Sequence, residues 1–98
     1  MMRDPMLRLR FAIGGEDRLF PLTGGRVRLG RGGDNDIVLA DVSVSRHHAS
    51  IEAANGAFEL KDLNSQNGTF VGGQRITQAR ISDGDAIRLG QAPFTFRA

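Results

Sequence analysis

Ser45, Arg46, His47 and His48 stand side by side in the stretch "SVSRHHA", and three different chemistries draw on such a set. A serine beside imidazoles is the raw material of nucleophilic catalysis. Paired histidines can clasp a metal ion, and a hydroxyl beside a guanidinium can hold an anion. Catalysis needs a base in reach of the hydroxyl and a third group that orients the imidazole. Ser45 lacks the G-x-S-x-G turn that exposes a nucleophile. Asp41 and Asp62 are able to orient a histidine, but no sequence feature selects either. His47 and His48 are adjacent on an expected strand, so they project to opposite faces and do not easily share one ion. "DND" at 34–36 has carboxylates but not the ligand ladder and closing glutamate of a calcium loop. Either histidine therefore reads as a hydrogen-bonded structural residue. Anion capture needs only fixed geometry: the Ser45 hydroxyl, the forks of Arg31 and Arg46, and backbone N–H groups of glycine-rich loops. Charge-assisted hydrogen bonds contribute roughly 1.5–3 kcal/mol each, so two or three suffice for a specific encounter.

The elements that must position these groups read as β throughout. In "MLRLRFAI", Leu7, Leu9, Phe11 and Ile13 share one parity and Arg8 and Arg10 the other, the pattern of a half-buried strand. Val27 and Leu29 in "RVRLG", Phe58 and Leu60 in "AFELKD", Ile87 and Leu89 in "DAIRLG", and Phe94 and Phe96 in "PFTFRA" repeat it. Turn signals separate the runs at Gly14-Gly15, Gly24-Gly25, Gly32-Gly33, Asn55-Gly56, Asn67-Gly68, Gly72-Gly73 and Asp83-Gly84. Asn55-Gly56 between two alternating runs predicts a hairpin. Short strands with a turn every 8–12 residues predict an all-β, antiparallel sandwich or barrel. Three polar loops stand out, "GRGGDND" (30–36), "SVSRHH" (43–48) and "NSQNGT" (64–69). Spacing alone does not establish that they share one end.

The 98 residues suit one domain, at roughly 100–200 residues per unit. Absence of cysteine excludes disulfides and thiolate metal sites and fits a reducing, cytoplasmic setting. No apolar run approaches the roughly 18 residues that span a bilayer, and the start "MMRDPMLRLR" lacks the apolar stretch of a signal peptide, so a soluble chain is expected. Twelve of the thirteen basic residues are arginine, with Lys61 the one lysine. Arginine suits bidentate contact with phosphate or carboxylate, although a GC-rich codon bias produces the same excess. Nucleic-acid binding is not expected, because there is no Trp or Tyr and the phenylalanines fall mainly in core phase.

Taken in order along the chain, "LGR" (29–31), "VSRHHA" (44–49), "DLNSQNGTFVGG" (62–73) and "ISDGDAIRLG" (81–90) resemble the forkhead-associated (FHA) domain family, whose members are β-sandwiches that bind phosphothreonine in partner proteins. The resemblance runs from about residue 6 to residue 97 and implies a single domain over 1–98, with the binding loops at one end. It implies that Arg31 and Ser45 contact the phosphate and that Arg46 adds to that contact. Asn67, with Gln66 beside it, would meet the peptide. Gly30, His48, Gly68 and Thr69 would support the site, with His48 as a strut and His47 as a bystander. The implied partner is a threonine-phosphorylated protein or peptide, such as a Ser/Thr kinase or its substrate. No catalytic residue, metal, cofactor, nucleic acid or membrane enters the reading. Three positions depart from the family pattern. Gln66 replaces a usual threonine, Asn64 a common glycine, and Gly72 an asparagine whose hydrogen bond would brace the peptide loop. Gln66 and Gly72 keep a phosphate-independent interaction or intramolecular regulatory role as the alternative.

Overall fold

Described in the computed structural model are residues 8–13, 16–21, 25–54 and 56–97, with side chains from residue 25 onward except residue 54. Leu7, the Gly14-Gly15 turn, Gly24, Asn55 and the side-chain parity expected for residues 9–13 lie outside that description. The described strands are β1 (Arg8–Ile13), β2 (Glu16–Pro21), β3 (Arg26–Gly30), β4 (Ile37–Val38), β5 (Ala49–Ala54), β6 (Ala57–Asp62), β7 (Thr69–Val71), β8 (Gln74–Ile76), β9 (Gln78–Ile81), β10 (Ala86–Leu89) and β11 (Ala92–Arg97). They form a six-stranded sheet, ordered β2-β1-β11-β10-β7-β8, and a five-stranded sheet, ordered β4-β3-β5-β6-β9.

Alternation along each strand decides which face each sheet turns inward. Val27, Leu29, Ile51, Leu60 and Ile81 from one sheet, and Ile87, Leu89, Phe94 and Phe96 from the other, are buried in a single cluster. The registers set Val27 opposite Ile51, Ile51 opposite Leu60, and Ile87 opposite Phe94. Apolar side chains thus meet both across strands and across sheets, as in a β-sandwich. Phe96 is fully buried and takes the edge of Phe58 from the facing sheet at 5.5 Å between centroids. Burying each such side chain contributes about 1.5–3 kcal/mol. Among the described residues no helix is long and apolar enough to cross a membrane.

The pairing is antiparallel as expected, with one exception among the described strands. β3 and β4 run parallel, with Leu29 opposite Ile37 and Gly30 opposite Val38. Parallel neighbours ordinarily need a crossover of a dozen or more residues, yet here residues 31–36 suffice because the chain arches beyond the end of β3 and returns for two residues only. The Asp36 carboxylate accepts from the Arg28 N–H at 2.8 Å, and Leu39 N–H donates to Gly30 C=O at 2.9 Å. The arch is thereby closed on β3 by a side chain as well as by backbone.

Strand order also fixes where the polar loops emerge. Leu29 at the end of β3 pairs with Ala49 at the start of β5, and Ala49 pairs with Asp62 at the end of β6. The loops 31–36, 39–48 and 63–68 therefore leave the same end of the five-stranded sheet. Thr69 at the start of β7 pairs with Leu89 at the end of β10, which adds the Gly90-Gln91 turn to that end.

Candidate functional site

Hydrogen bonds tie these loops into one surface. Arg31 N–H donates to Ser45 C=O and Gly32 N–H to Arg46 C=O, each at 3.0 Å. The Arg31 Nε donates to Val44 C=O at 2.9 Å. Among the described residues its two Nη groups have no hydrogen-bond partner, so the exposed fork is aimed but unspent. The Ser45 hydroxyl accepts from Gln66 N–H at 3.1 Å, which leaves its own proton to donate. Asn67 Nδ2 donates to Ser43 C=O at 2.8 Å, holding the exposed carboxamide against the loop that carries Ser45. Arg46 is exposed and lies over Gly32, its Cγ 2.8 Å from where a Cβ would stand. Arg31, Ser45, Arg46, Gln66 and Asn67 are thus gathered at one end, although they come from three loops.

Beneath them His48 is fully buried. Its Nδ1 accepts from Ser45 N–H at 3.0 Å, and its Nε2 faces the Gly68 C=O at 2.9 Å. A carbonyl only accepts and a backbone N–H only donates, so the ring is the neutral tautomer with the proton on Nε2. It spans from the Ser45 loop to the Asn67 loop with both nitrogens engaged. Gly30 lets the 31–36 and 43–48 loops approach, since a Cβ there would run into the Arg46 carbonyl oxygen. Gly68 has φ +92°, a conformation that only glycine accommodates without strain.

The Asn67 loop is closed by one carboxylate. Asp62 Oδ1 accepts from the hydroxyls of Ser65 and Thr69, and Oδ2 accepts from Ser65 N–H. The Ser65 hydroxyl in turn accepts from Gly68 N–H at 3.0 Å. Partial burial pushes the Asp62 carboxyl up, but the hydrogen bonds from Ser65 and Thr69 outweigh it, and the group sits below the ordinary 3.8. Thr69 is fully buried, so it supports the loop and does not face the surface. Asn64 takes φ 61°, the one positive φ among the described non-glycine residues. This is the conformation in which asparagine substitutes for glycine.

The structure adds supporting residues that the sequence reading passed over. Buried Asn35 donates from Nδ2 to Gly32 C=O at 2.7 Å and to Arg46 C=O at 2.8 Å, joining the Arg31 and Arg46 loops. Asp41 Oδ1 accepts from both Ser43 N–H and the Ser43 hydroxyl, bonds that lower its carboxyl. The Ser43 hydroxyl accepts from Gln91 N–H at 2.7 Å. The Asp41-x-Ser43 and Asp62-x-x-Ser65 spacings are local Asx-type signals that mark these turns in the sequence. Asn35, whose partners lie up to 11 residues away, has no such signal.

His47 is hydrogen-bonded, as read for a structural histidine: its Nε2 bonds Asp34 Oδ2 at 2.8 Å, linking the 31–36 and 43–48 loops, and this bond lowers the Asp34 carboxyl. Gly72 has no side chain to supply the brace that an asparagine would. With Gly73 it forms a two-residue turn with φ of 58° and 83° between paired Val71 and Gln74, the positive-φ geometry that closes hairpins. Bracing comes instead from Asp62 and from the Asn67–Ser43 bond.

A family model for the FHA domain matches residues 27–90. The chain belongs to the FHA domain family. It is 45% identical over 75 residues to the ABC transporter ATP-binding/permease protein Rv1747 of Mycobacterium tuberculosis, covering 76% of this chain and 9% of that protein. This FHA chain thus spans about a tenth of the length of that relative. A structure from a structural and functional analysis of phosphothreonine-dependent FHA domain interactions superposes at TM-score 0.84 with 34% identity, over 94% of this chain and 97% of that one. Mycobacterium tuberculosis EmbR in complex with a low-affinity phosphopeptide superposes at 0.83 with 38% identity, over 92% of this chain and 24% of that one.

Proposed function

We propose that this FHA domain binds threonine-phosphorylated segments of partner proteins and acts by recognition, without turnover. The observation that carries this reading is the convergence of the Arg31 fork, the Ser45 hydroxyl and the Asn67 carboxamide on one hydrogen-bonded end. A phosphate monoester carries about −1.5 to −2 charges at pH 7. The fork and hydroxyl supply donors to it, with Arg46 adding charge, while Asn67 and Gln66 remain for the peptide main chain. His48 supports recognition over catalysis: with Nδ1 held by Ser45 N–H and Nε2 by Gly68 C=O, it has no nitrogen left to deprotonate the Ser45 hydroxyl. The expected partner is a phosphorylated signalling protein such as a Ser/Thr kinase or its substrate, met in the cytoplasm. Residues 6–97 act as one recognition unit in this reading.

Calorimetric titration of a phosphothreonine peptide library against the same peptides unphosphorylated tests it. Binding confined to phosphorylated members is expected. Equal affinity for both forms would overturn it and favour a phosphate-independent docking role.

A further inference from the structure

Of the groups gathered at the loop end, Asn67 alone combines an exposed carboxamide with a glycine as the next residue. That pairing is reactive by itself. A backbone nitrogen attacks the side-chain carbonyl carbon of the asparagine before it, and glycine puts no Cβ in the way. Here the Gly68 nitrogen gives up its proton to solvent and bonds to Asn67 Cγ. The Cγ–Nδ2 bond breaks, ammonia leaves, and a succinimide ring is closed. Water then opens the ring at either carbonyl. Opening at the main-chain nitrogen–Cγ bond leaves an aspartate side chain. Opening at the original peptide bond leaves an isoaspartyl linkage, in which the chain runs through Cβ and Cγ.

The structure restrains both partners of that attack. Asn67 Nδ2 donates to Ser43 C=O at 2.8 Å, which ties the carboxamide to another loop. Gly68 N–H donates to the Ser65 hydroxyl at 3.0 Å, and that hydroxyl is itself fixed by donating to Asp62. Gly68 C=O accepts from Gly90 N–H at 2.9 Å and faces His48 Nε2 at the same distance. Gly68 is buried, so its peptide does not turn freely toward the side chain. Ring closure has to release at least the bonds to Ser43 and Ser65.

The products are incompatible with the same contacts. A carboxylate at position 67 has no proton for Ser43 C=O, so two acceptors face each other. It also adds negative charge to the end that is to hold a dianion. The isoaspartyl linkage inserts a further carbon into the main chain before Gly68, which displaces the peptide that His48 and Gly90 hold.

We propose that Asn67-Gly68 is an enzyme-free modification site that switches the clasp off. Deamidation there is held slow by the Ser43 and Ser65 bonds, and slower still by a bound segment that occupies the carboxamide. Idle copies thus lose recognition with age while occupied copies keep it. The loss of binding rests on the phosphothreonine reading above; the modification does not.

Peptide mapping by mass spectrometry follows conversion at Asn67, apart from the other Asn-Gly pair at 55–56. It compares the folded chain, the chain unfolded in guanidinium, and the folded chain saturated with a phosphothreonine peptide. The folded chain is expected to convert about thirtyfold more slowly than the unfolded one, equivalent to about 2 kcal/mol, as two released hydrogen bonds would give. Ser65→Ala should speed the folded chain about fivefold, and saturating peptide should slow the unaltered one further. The converted form, separated by its added negative charge, should bind the peptide at least about tenfold more weakly.

Equal rates in folded and unfolded chains, or no conversion at Asn67 in either, would overturn the proposal. So would a Ser65→Ala chain that unfolds cooperatively yet converts no faster. If that variant does not fold, the folded-to-unfolded ratio of the unaltered chain decides. A rate that saturating peptide leaves unchanged would remove protection by the ligand, and full affinity in the converted form would overturn the switch. Should the unconverted chain bind phosphorylated and unphosphorylated peptides equally, the phosphothreonine reading fails and the switch with it. The mapped rates distinguish that failure, because they are read without any peptide.

Discussion

The space between the sheets and the loop end of the sandwich are held together by different physics. Between the sheets, Leu29, Ile51, Leu60, Ile87, Leu89 and Phe96 are buried against one another, and their cohesion depends on area and volume with little regard to direction. At the loop end, Asn35, His48, Asp62 and Ser65 join segments through directional bonds, each with a fixed donor and acceptor. An apolar core accepts a side chain of similar size. The loop end does not, because an isostere with the wrong hydrogen-bonding pattern leaves a buried partner unsatisfied. Stability and recognition are therefore separable in this molecule to the extent that a residue belongs to one region only.

The largest effect expected from that division is at Phe96. Phe96→Ala should cost about 3–5 kcal/mol in urea unfolding, while the affinity of the fraction that remains folded for a phosphothreonine peptide stays within twofold. A large affinity loss in that fraction would show the regions to be coupled. His48 belongs to both. His48→Leu keeps the bulk but orphans Ser45 N–H and leaves Gly68 C=O with Gly90 N–H alone, and should cost about 1–3 kcal/mol of stability together with most of the peptide affinity. Retention of full affinity would remove His48 from the site.

Arg31 belongs to the surface alone. Arg31→Ala should lower phosphopeptide affinity at least tenfold, about 1.4 kcal/mol, and cost no more than about 0.5–1.5 kcal/mol in unfolding, the worth of its Nε bond to Val44 C=O. Binding that survives the substitution would favour phosphate-independent docking. The smallest effect is in acid. Asp62 has a carboxyl held below its ordinary 3.8 in the folded state, so the stability it contributes is complete above that value. It is lost as pH falls through the lower folded one. Amide exchange at Ser65 and Gly68 should show steady protection, after correction for intrinsic rates, from pH 8 to pH 5 and a decline below about pH 4. Asp62→Asn should remove that decline; a decline of the same size in the variant would assign it to another group.

Much of the fold was legible before any coordinates. Period-two alternation depends only on neighbours along the chain, so Val27, Leu29, Ile87, Leu89, Phe94 and Phe96 read as core and are buried. Paired glycines marked turns for the same local reason, and Asn64, where the family commonly has glycine, adopts a positive φ. β4 escaped notice because two residues carry no period, and its parallel pairing with β3 is decided by how residues 31–36 arch back. Asn35, Gly90 and the Ser43–Gln91 bond escaped because they depend on partners far along the chain. Gln91 meets Ser43 across 48 positions, and a Cβ on Gly90 would strike the Ser43 carbonyl oxygen.

By itself the sequence determined which residues are inward, where the chain turns, and which side chains have the chemistry to hold an anion. Each of these follows from residue type and short spacing. Only the tertiary structure decided that the loops after β3, before β5 and after β6 emerge together, because strand order is chosen by which apolar faces bury one another and not by any local pattern. The same packing sets Arg75 over Gly68, a neighbourhood that the six residues of intervening hairpin bring about and that no periodicity announces.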